Sequence, residues 1–256
     1  LAGTPLDSFV QGTYFGLFSD TNGVAVDSSG YFTARTTKSG AFSGKLWLAG
    51  QTYSFASRLD NSTGLGSATI NKGPLTLQLW LVAPLGDQMV GRIRGPGGWW
   101  ADLLANRQMS PVKSGGGGGS YAGRYTLLIP PATDGPAGYG FGSLKVNARG
   151  NIRFVGTLAD GSKVTQSSGL SSQGYWPAFA SLYGGQGNLI SWQQFATSPA
   201  QNLSGQCLWL KPAGVGTRYY PVGFTNDVEA SGSLYQRQRG AALLPLNNGQ
   251  GLLSFG

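Results

Sequence analysis

Asp227 and Glu229, two residues apart, are the carboxylates in this 256-residue chain best spaced to move protons or hold a cation. On an extended strand, positions i and i+2 share a face, so the two would stand side by side with Val228 turned away. That arrangement would suit a hydrolase with a carboxylate pair. It equally describes a solvated strand face, or a bridge to Arg237 or Arg239, and this is the reading taken. The chain contains no His, which removes the commonest general base and the commonest metal ligand together. A Ser nucleophile would therefore lack its base, and no supported Ser-x-x-Lys motif replaces it. Cys207 is the single cysteine; set in an apolar run with Leu208 and Leu210, it is expected to be a buried, inert thiol. Asp20-Thr21-Asn22-Gly23 opens like a calcium loop but lacks the later carboxylates and terminal Glu, so it is read as a turn. Gly184-Gly185-Gln186-Gly187 lacks the following Lys-Ser/Thr and helix of a phosphate loop, and is also a turn. Asp60, Asp87, Asp102, Asp134 and Asp160 fall beside turns or strand starts, where Asp satisfies local backbone donors. No catalytic residue, metal site or cofactor is expected.

The aromatics carry the functional signal. Trp47 shares its strand face with Ser43 and Lys45, and Trp80 shares its face with Thr76 and Gln78. On a solvated face these rings could stack on sugars, with polar neighbours for the hydroxyls. Trp99 and Trp100 are adjacent, so one of the two rings must leave the core. These four are the candidate ligand-binding residues. Their alternative is burial beneath an added hairpin or the neighbouring module.

The elements that would hold them are strands. Leu75, Leu77, Leu79 and Leu81 share one face and Thr76, Gln78 and Trp80 the other, the alternation of an antiparallel sheet wet on one side. Similar alternation predicts seven strands in the first part of the chain, near 13–18, 30–37, 41–49, 51–59, 75–82, 89–94 and 99–107. Turns such as Asn22-Gly23, Ser39-Gly40 and Gly97-Gly98 join them at short intervals, which favours an up-and-down meander.

This pattern occurs twice. Gly12-Thr13-Tyr14 returns as Gly123-Arg124-Tyr125, an offset of 123 − 12 = 111, and Gly40/Gly150, Gly44/Gly156 and Gly50/Gly161 keep nearly the same spacing. Farther on, Pro74 matches Pro177 and Arg107 matches Lys211, which requires a deletion of about eight residues in the second copy. The expected organisation is an N-terminal segment 1–11, a first module 12–110, a Gly-rich linker 111–122, a second module 123–212, and an extension 213–256. The extension adds candidate strands Asp227–Tyr235 and Gly251–Phe255. The fold class is all-β: two tandem, pseudo-symmetric antiparallel meander barrels or sandwiches plus a C-terminal extra hairpin.

Charged residues are sparse at 11% and Gly abundant at 43 residues, the profile of an exported all-β protein. The net charge of +8 is spread along the chain rather than gathered into a stripe, so no specific nucleic-acid partner is expected. No apolar run approaches the length of a membrane-spanning helix.

Gly12-Thr13-Tyr14-Phe15-Gly16-Leu17-Phe18, Ser29-Gly30-Tyr31-Phe32-Thr33, Gly156-Thr157-Leu158-Ala159-Asp160-Gly161 and Tyr219-Tyr220-Pro221-Val222-Gly223-Phe224 together resemble a duplicated, uncharacterised β-module. That module lies near the C-termini of large secreted or surface proteins of environmental bacteria. More distantly, the Gly-x-Tyr opening strand and meander are similar to calycin-like barrels and the barrels of surface lipoproteins that capture host proteins. The resemblance implies an extracellular or cell-surface location and supplies no catalytic residues. The expected function is a non-enzymatic structural or adhesion module whose partners are other surface proteins or glycans. A carbohydrate-binding module using exposed Trp and Tyr is the alternative, and a carboxylate-pair hydrolase the third reading.

Overall fold

The computed structural model describes residues 11–60, 62–70, 75–82, 86–110, 121–196, 202–215 and 220–236. The first half forms β1 (Gly12–Asp20), β2 (Gly30–Thr36), β3 (Ala41–Leu48), β4 (Gln51–Arg58), β5 (Leu65–Ile70), β6 (Leu75–Leu81), β7 (Gln88–Arg94) and β8 (Trp100–Arg107). The second half forms β9 (Gly123–Ile129), β10 (Gly140–Val146), β11 (Asn151–Thr157), β12 (Lys163–Gly169), β13 (Tyr175–Leu182), β14 (Gly187–Phe195), β15 (Asn202–Lys211) and β16 (Phe224–Leu234).

Each half is one antiparallel sheet, ordered β4-β3-β2-β1-β8-β7-β6-β5 and β12-β11-β10-β9-β16-β15-β14-β13. The first and last strands of each half pair with one another, so each sheet curls up-and-down into a near-barrel with a single seam. Alternation fills the interiors. Tyr14, Phe18, Phe32, Leu46, Leu77 and Met89 pack inside the first barrel, and Leu144, Phe154, Trp176, Cys207 and Trp209 inside the second. Two tandem all-β barrels of one topology are thus the architecture that the patterning and the duplication imply.

The seams close by different means. In the first barrel Leu59 bridges Gly66 and the Asp60 amide donates to the Leu65 carbonyl at 2.8 Å, drawing β4 toward β5 at one end. In the second, a side chain does the work of a strand. Gln166 on β12 donates from Nε2 to the Pro177 carbonyl at 2.9 Å, and its Oε1 accepts from the Phe179 amide at 3.2 Å. Pro177 is tolerated on β13 because that strand is an edge.

Two expectations change. The first barrel has eight strands, not seven. β5 escapes the sequence pattern because two of its three inward residues, Gly66 and Ala68, are small and only Ile70 is large. A Cβ on Gly66 would lie 2.5 Å from the Phe42 ring, so the large residue that fills that space comes from β3. The second correction concerns 213–256. β16 lies in this segment and is an integral part of the second sheet, paired with both β15 and β9. Lys211 ends β15, which stands where β7 stands in the first barrel, so it is not the counterpart of Arg107 at the end of β8. The second copy is therefore longer than 123–212, and longer strands and loops replace the deletion that the glycine landmarks suggested. The expected strand Gly251–Phe255, the linker residues 111–120, Arg237 and Arg239 lie outside the described residues.

The barrels pack on one another. Leu17 and Tyr31 of the first meet Phe179 and Ile190 of the second in an apolar cluster flanked by Phe15, Val24, Trp47, Trp192 and Leu208. The Tyr31 hydroxyl lies 3.0 Å from Ser168 Oγ, and the Met109 amide donates to the Leu170 carbonyl at 2.9 Å. The turns Ala49–Gly50 and Gly184–Gly185 touch backbone to backbone; a Cβ on Gly185 would stand 2.6 Å from the Ala49 carbonyl oxygen.

Candidate functional site

Strand register places the aromatics. Reading straight across the outer face of the first sheet, Leu65 stands opposite Trp80, Trp80 opposite Val90, Val90 opposite Leu104, and Leu104 opposite Leu17. Leu17 then stands opposite Tyr31, and Tyr31 opposite Trp47. Such cross-strand neighbours have Cβ atoms about 4.5–5.5 Å apart, so they form one continuous apolar row. The two ends of this row meet different fates. Leu17 and Tyr31 are buried and Trp47 half-buried by the second barrel. Leu65, Trp80 and Leu104 remain 44%, 38% and 36% exposed, with Val90 half-buried among them.

The four sequence-predicted residues therefore separate. Trp80 sits second in the row, within its exposed half. Trp100 is exposed on the same outer face at another level, with the Arg94 guanidinium 5.5 Å from its ring centroid. Trp99 is half-buried against the first core, and its ring covers Gly95. Trp47 leans on Tyr31, ring centroids 5.2 Å apart, at the barrel junction. The four do not form one platform.

The junction holds cavities. One, of about 330 Å³, is walled by Leu17, Val24 and Leu104 on one side and Ile190, Trp192 and Leu208 on the other; the exposed half of the row runs into it. A second, of about 560 Å³, has Phe15, Tyr31, Thr33 and Trp47 facing Lys163, Thr165, Ser167 and Phe179. A third, of about 470 Å³, shares Phe15 and Ser167 with the second and continues past Lys145, Asn151 and Arg153. Sequence patterning could not locate these walls, because they come from strands far apart in the chain and exist only once the barrels dock.

Asp227 and Glu229 both lie exposed on β16, and Asp227 accepts a 2.5 Å hydrogen bond from Gln206. Neither lines a junction cavity. Asp20 caps its own turn by accepting from the Asn22 amide, and Asp87 and Asp102 pair with Arg107 and Arg92. Cys207 is buried inside the second barrel; burial, with Asp227 adding, pushes its thiol up to about 12. A polar cluster at one end of that barrel gave no sequence signal. There Tyr183 donates to Asp160 at 2.6 Å, Trp209 Nε1 donates to Tyr183, and buried Lys211 donates to the Tyr220 carbonyl at 2.7 Å. Burial and the Asp160 carboxylate both raise the Tyr183 hydroxyl.

No protein family and no curated protein sequence matches the chain. Among solved structures it is similar to intact Ap-TbpB with N and C lobes, at 12% identity and a TM-score of 0.30, over 88% of this chain and 49% of that one. It is similar too to a point mutant of the vaccine antigen transferrin binding protein B from Haemophilus parasuis Hp5, at 9% identity and a TM-score of 0.30, over 90% of this chain and 77% of that one. The chain thus spans about half the length of the first of these proteins.

Proposed function

We propose that the chain is a non-enzymatic structural and adhesion module of an exported or cell-surface protein, and that it assembles with further copies through the exposed half of the first barrel's apolar row. The carrying observation is the division of that row. Leu17, Tyr31 and Trp47 are already covered by a barrel face bearing Phe179, Ile190 and Leu208, whereas Leu65, Trp80 and Leu104 continue the same surface into solvent. A contiguous apolar patch of this kind marks a contact surface, and its chemistry fits the class of barrel face that covers its other half. The sparse charge and abundant Gly, the profile of an exported all-β chain, support the cellular placement.

Sedimentation equilibrium tests this reading. The chain should associate in a concentration-dependent manner, and Trp80→Asp or Leu104→Asp should weaken association by about 30-fold or more, the loss of one central anchor worth about 2 kcal/mol. At concentrations where the wild type is monomeric, both variants should keep its melting temperature, since neither side chain is in a core. A strictly monomeric wild-type chain at about 100 µM, above the micromolar range that interfaces of standard size reach, would contradict it.

A further inference from the structure

We propose that the trough between the barrels is a binding site for an acidic polysaccharide. Its first support is a row of like charges. Across the outer face of the second sheet Arg124 stands opposite Lys145, and Lys145 opposite Arg153. All three are exposed, and among the described residues none is in an ion pair. Like charges directly opposite one another on a sheet cost stability unless an anion lies between them. The next residue in this row is Ser167, where the row enters the trough.

The trough supplies the rest of a glycan site. The two adjoining cavities, of about 560 and 470 Å³, fall in the range of pockets that take small organic ligands. Lys163, Lys145 and Arg153 line them and no carboxylate does. On the wall from the first barrel, Lys45 is the cross-strand neighbour of the lining Thr33, and Arg35 lies one step farther along β2 on the same face. Hydroxyls come from Thr33, Thr165, Ser167 and Ser181, and amides from Asn147 and Asn151. Trp47 provides a half-exposed ring fixed from behind by Tyr31, a surface on which one pyranose can stack. Tyr31 and Phe179 are buried beneath it and Phe15 is half-buried, so the trough offers two partly open rings rather than the longer succession that would stack the bases of a single-stranded nucleic acid. Hydroxyl partners, few open rings and unpaired cations together select a sugar chain bearing carboxylates or sulfates.

This site is independent of the Trp80 row, and titration calorimetry on the intact chain separates the two. The probes are a galacturonic-acid hexamer, its methyl ester, a sulfated hexasaccharide and a single-stranded thymidine decamer. The galacturonate hexamer should bind, and the neutral methyl ester should bind about 10-fold more weakly or worse. A sulfated probe binding more tightly still keeps the site and assigns sulfate as its anion. Trp47→Ala should weaken hexamer binding by about 5–30-fold. Lys145→Gln should weaken it too, while the melting temperature of the free protein stays level or rises, because the substitution relieves repulsion. A purely structural Lys145 would give a lowered melting temperature and unchanged affinity. Trp80→Asp should bind the hexamer as wild type does. Equal affinity for the methyl ester, tighter binding of the thymidine decamer, or no effect of Lys145→Gln on affinity overturns the proposal.

Discussion

At the scale of single residues, the chain uses its few carboxylates to organise backbone. Asp60 Oδ1 accepts from the hydroxyls and amides of both Ser62 and Thr63, led by the Ser62 hydroxyl, and these bonds lower its carboxyl from 3.8 to about 2. The sign follows: a carboxyl lowered by folding contributes stability that is present above about 4 and is lost as pH falls through about 2. Asp60→Asn should therefore flatten the acid limb of the stability curve between about 4 and 2, and an acid-unfolding profile identical to wild type would refute this. Cys207 gives a second expectation at this scale. With its thiol buried and pushed up to about 12, native protein at pH 8 should resist iodoacetamide and react only once unfolded. Rapid labelling of the folded chain would contradict it. The turn roles of Asp20, Asp60 and Asp160, and the burial of Cys207, were legible from residue type and local spacing. The fates of Trp47 and Trp80 were not, since both look alike on their strands and only docking of the second barrel separates them.

At the scale of elements, alternation decides which face each strand buries. Leu75, Leu77 and Leu79 are all buried, at 2%, 1% and 0% exposure, with Thr76 and Gln78 outside. Leu77→Ala should cost about 2–5 kcal/mol in chemical denaturation as a core cavity, and a loss under about 0.5 kcal/mol would reverse the face assignment. The Gln166 clamp is a different kind of element, a side-chain amide standing in for a missing strand pairing. Gln166→Leu strips the Phe179 amide and the Pro177 carbonyl of their partner, at about 1–3 kcal/mol, and should speed hydrogen exchange at the Phe179 amide. Unchanged exchange there would show that the seam closes without it. Strands with large inward residues were legible in the sequence. β5 was not, because Gly66 and Ala68 leave Ile70 as its one large inward residue, and β16, legible as a strand near 227–235, was set outside the second module because glycine landmarks track turns rather than strand partners.

At the scale of the whole molecule, duplication yields two barrels of one topology, and their outer faces differ in what covers them. One apolar row is half sealed by the partner barrel, one basic row runs into the trough beside it, and the backbone contact at Gly50 and Gly185 sets how closely the two approach. The repeat itself was visible in the sequence; the docking geometry was not, because Phe15, Tyr31 and Trp47 carry the same inside-outside alternation whether or not a second barrel lies over them. Hydroxyl-radical footprinting of the tryptophans across a concentration series tests the central claim most directly. In dilute protein Trp80 should be modified readily, Trp47 more slowly, and Trp176 and Trp209, at 0% and 2% exposure, scarcely at all, with Trp80 alone of these losing reactivity as concentration rises. A Trp80 as protected as Trp176 in dilute solution, or equally reactive at every concentration, would contradict the account.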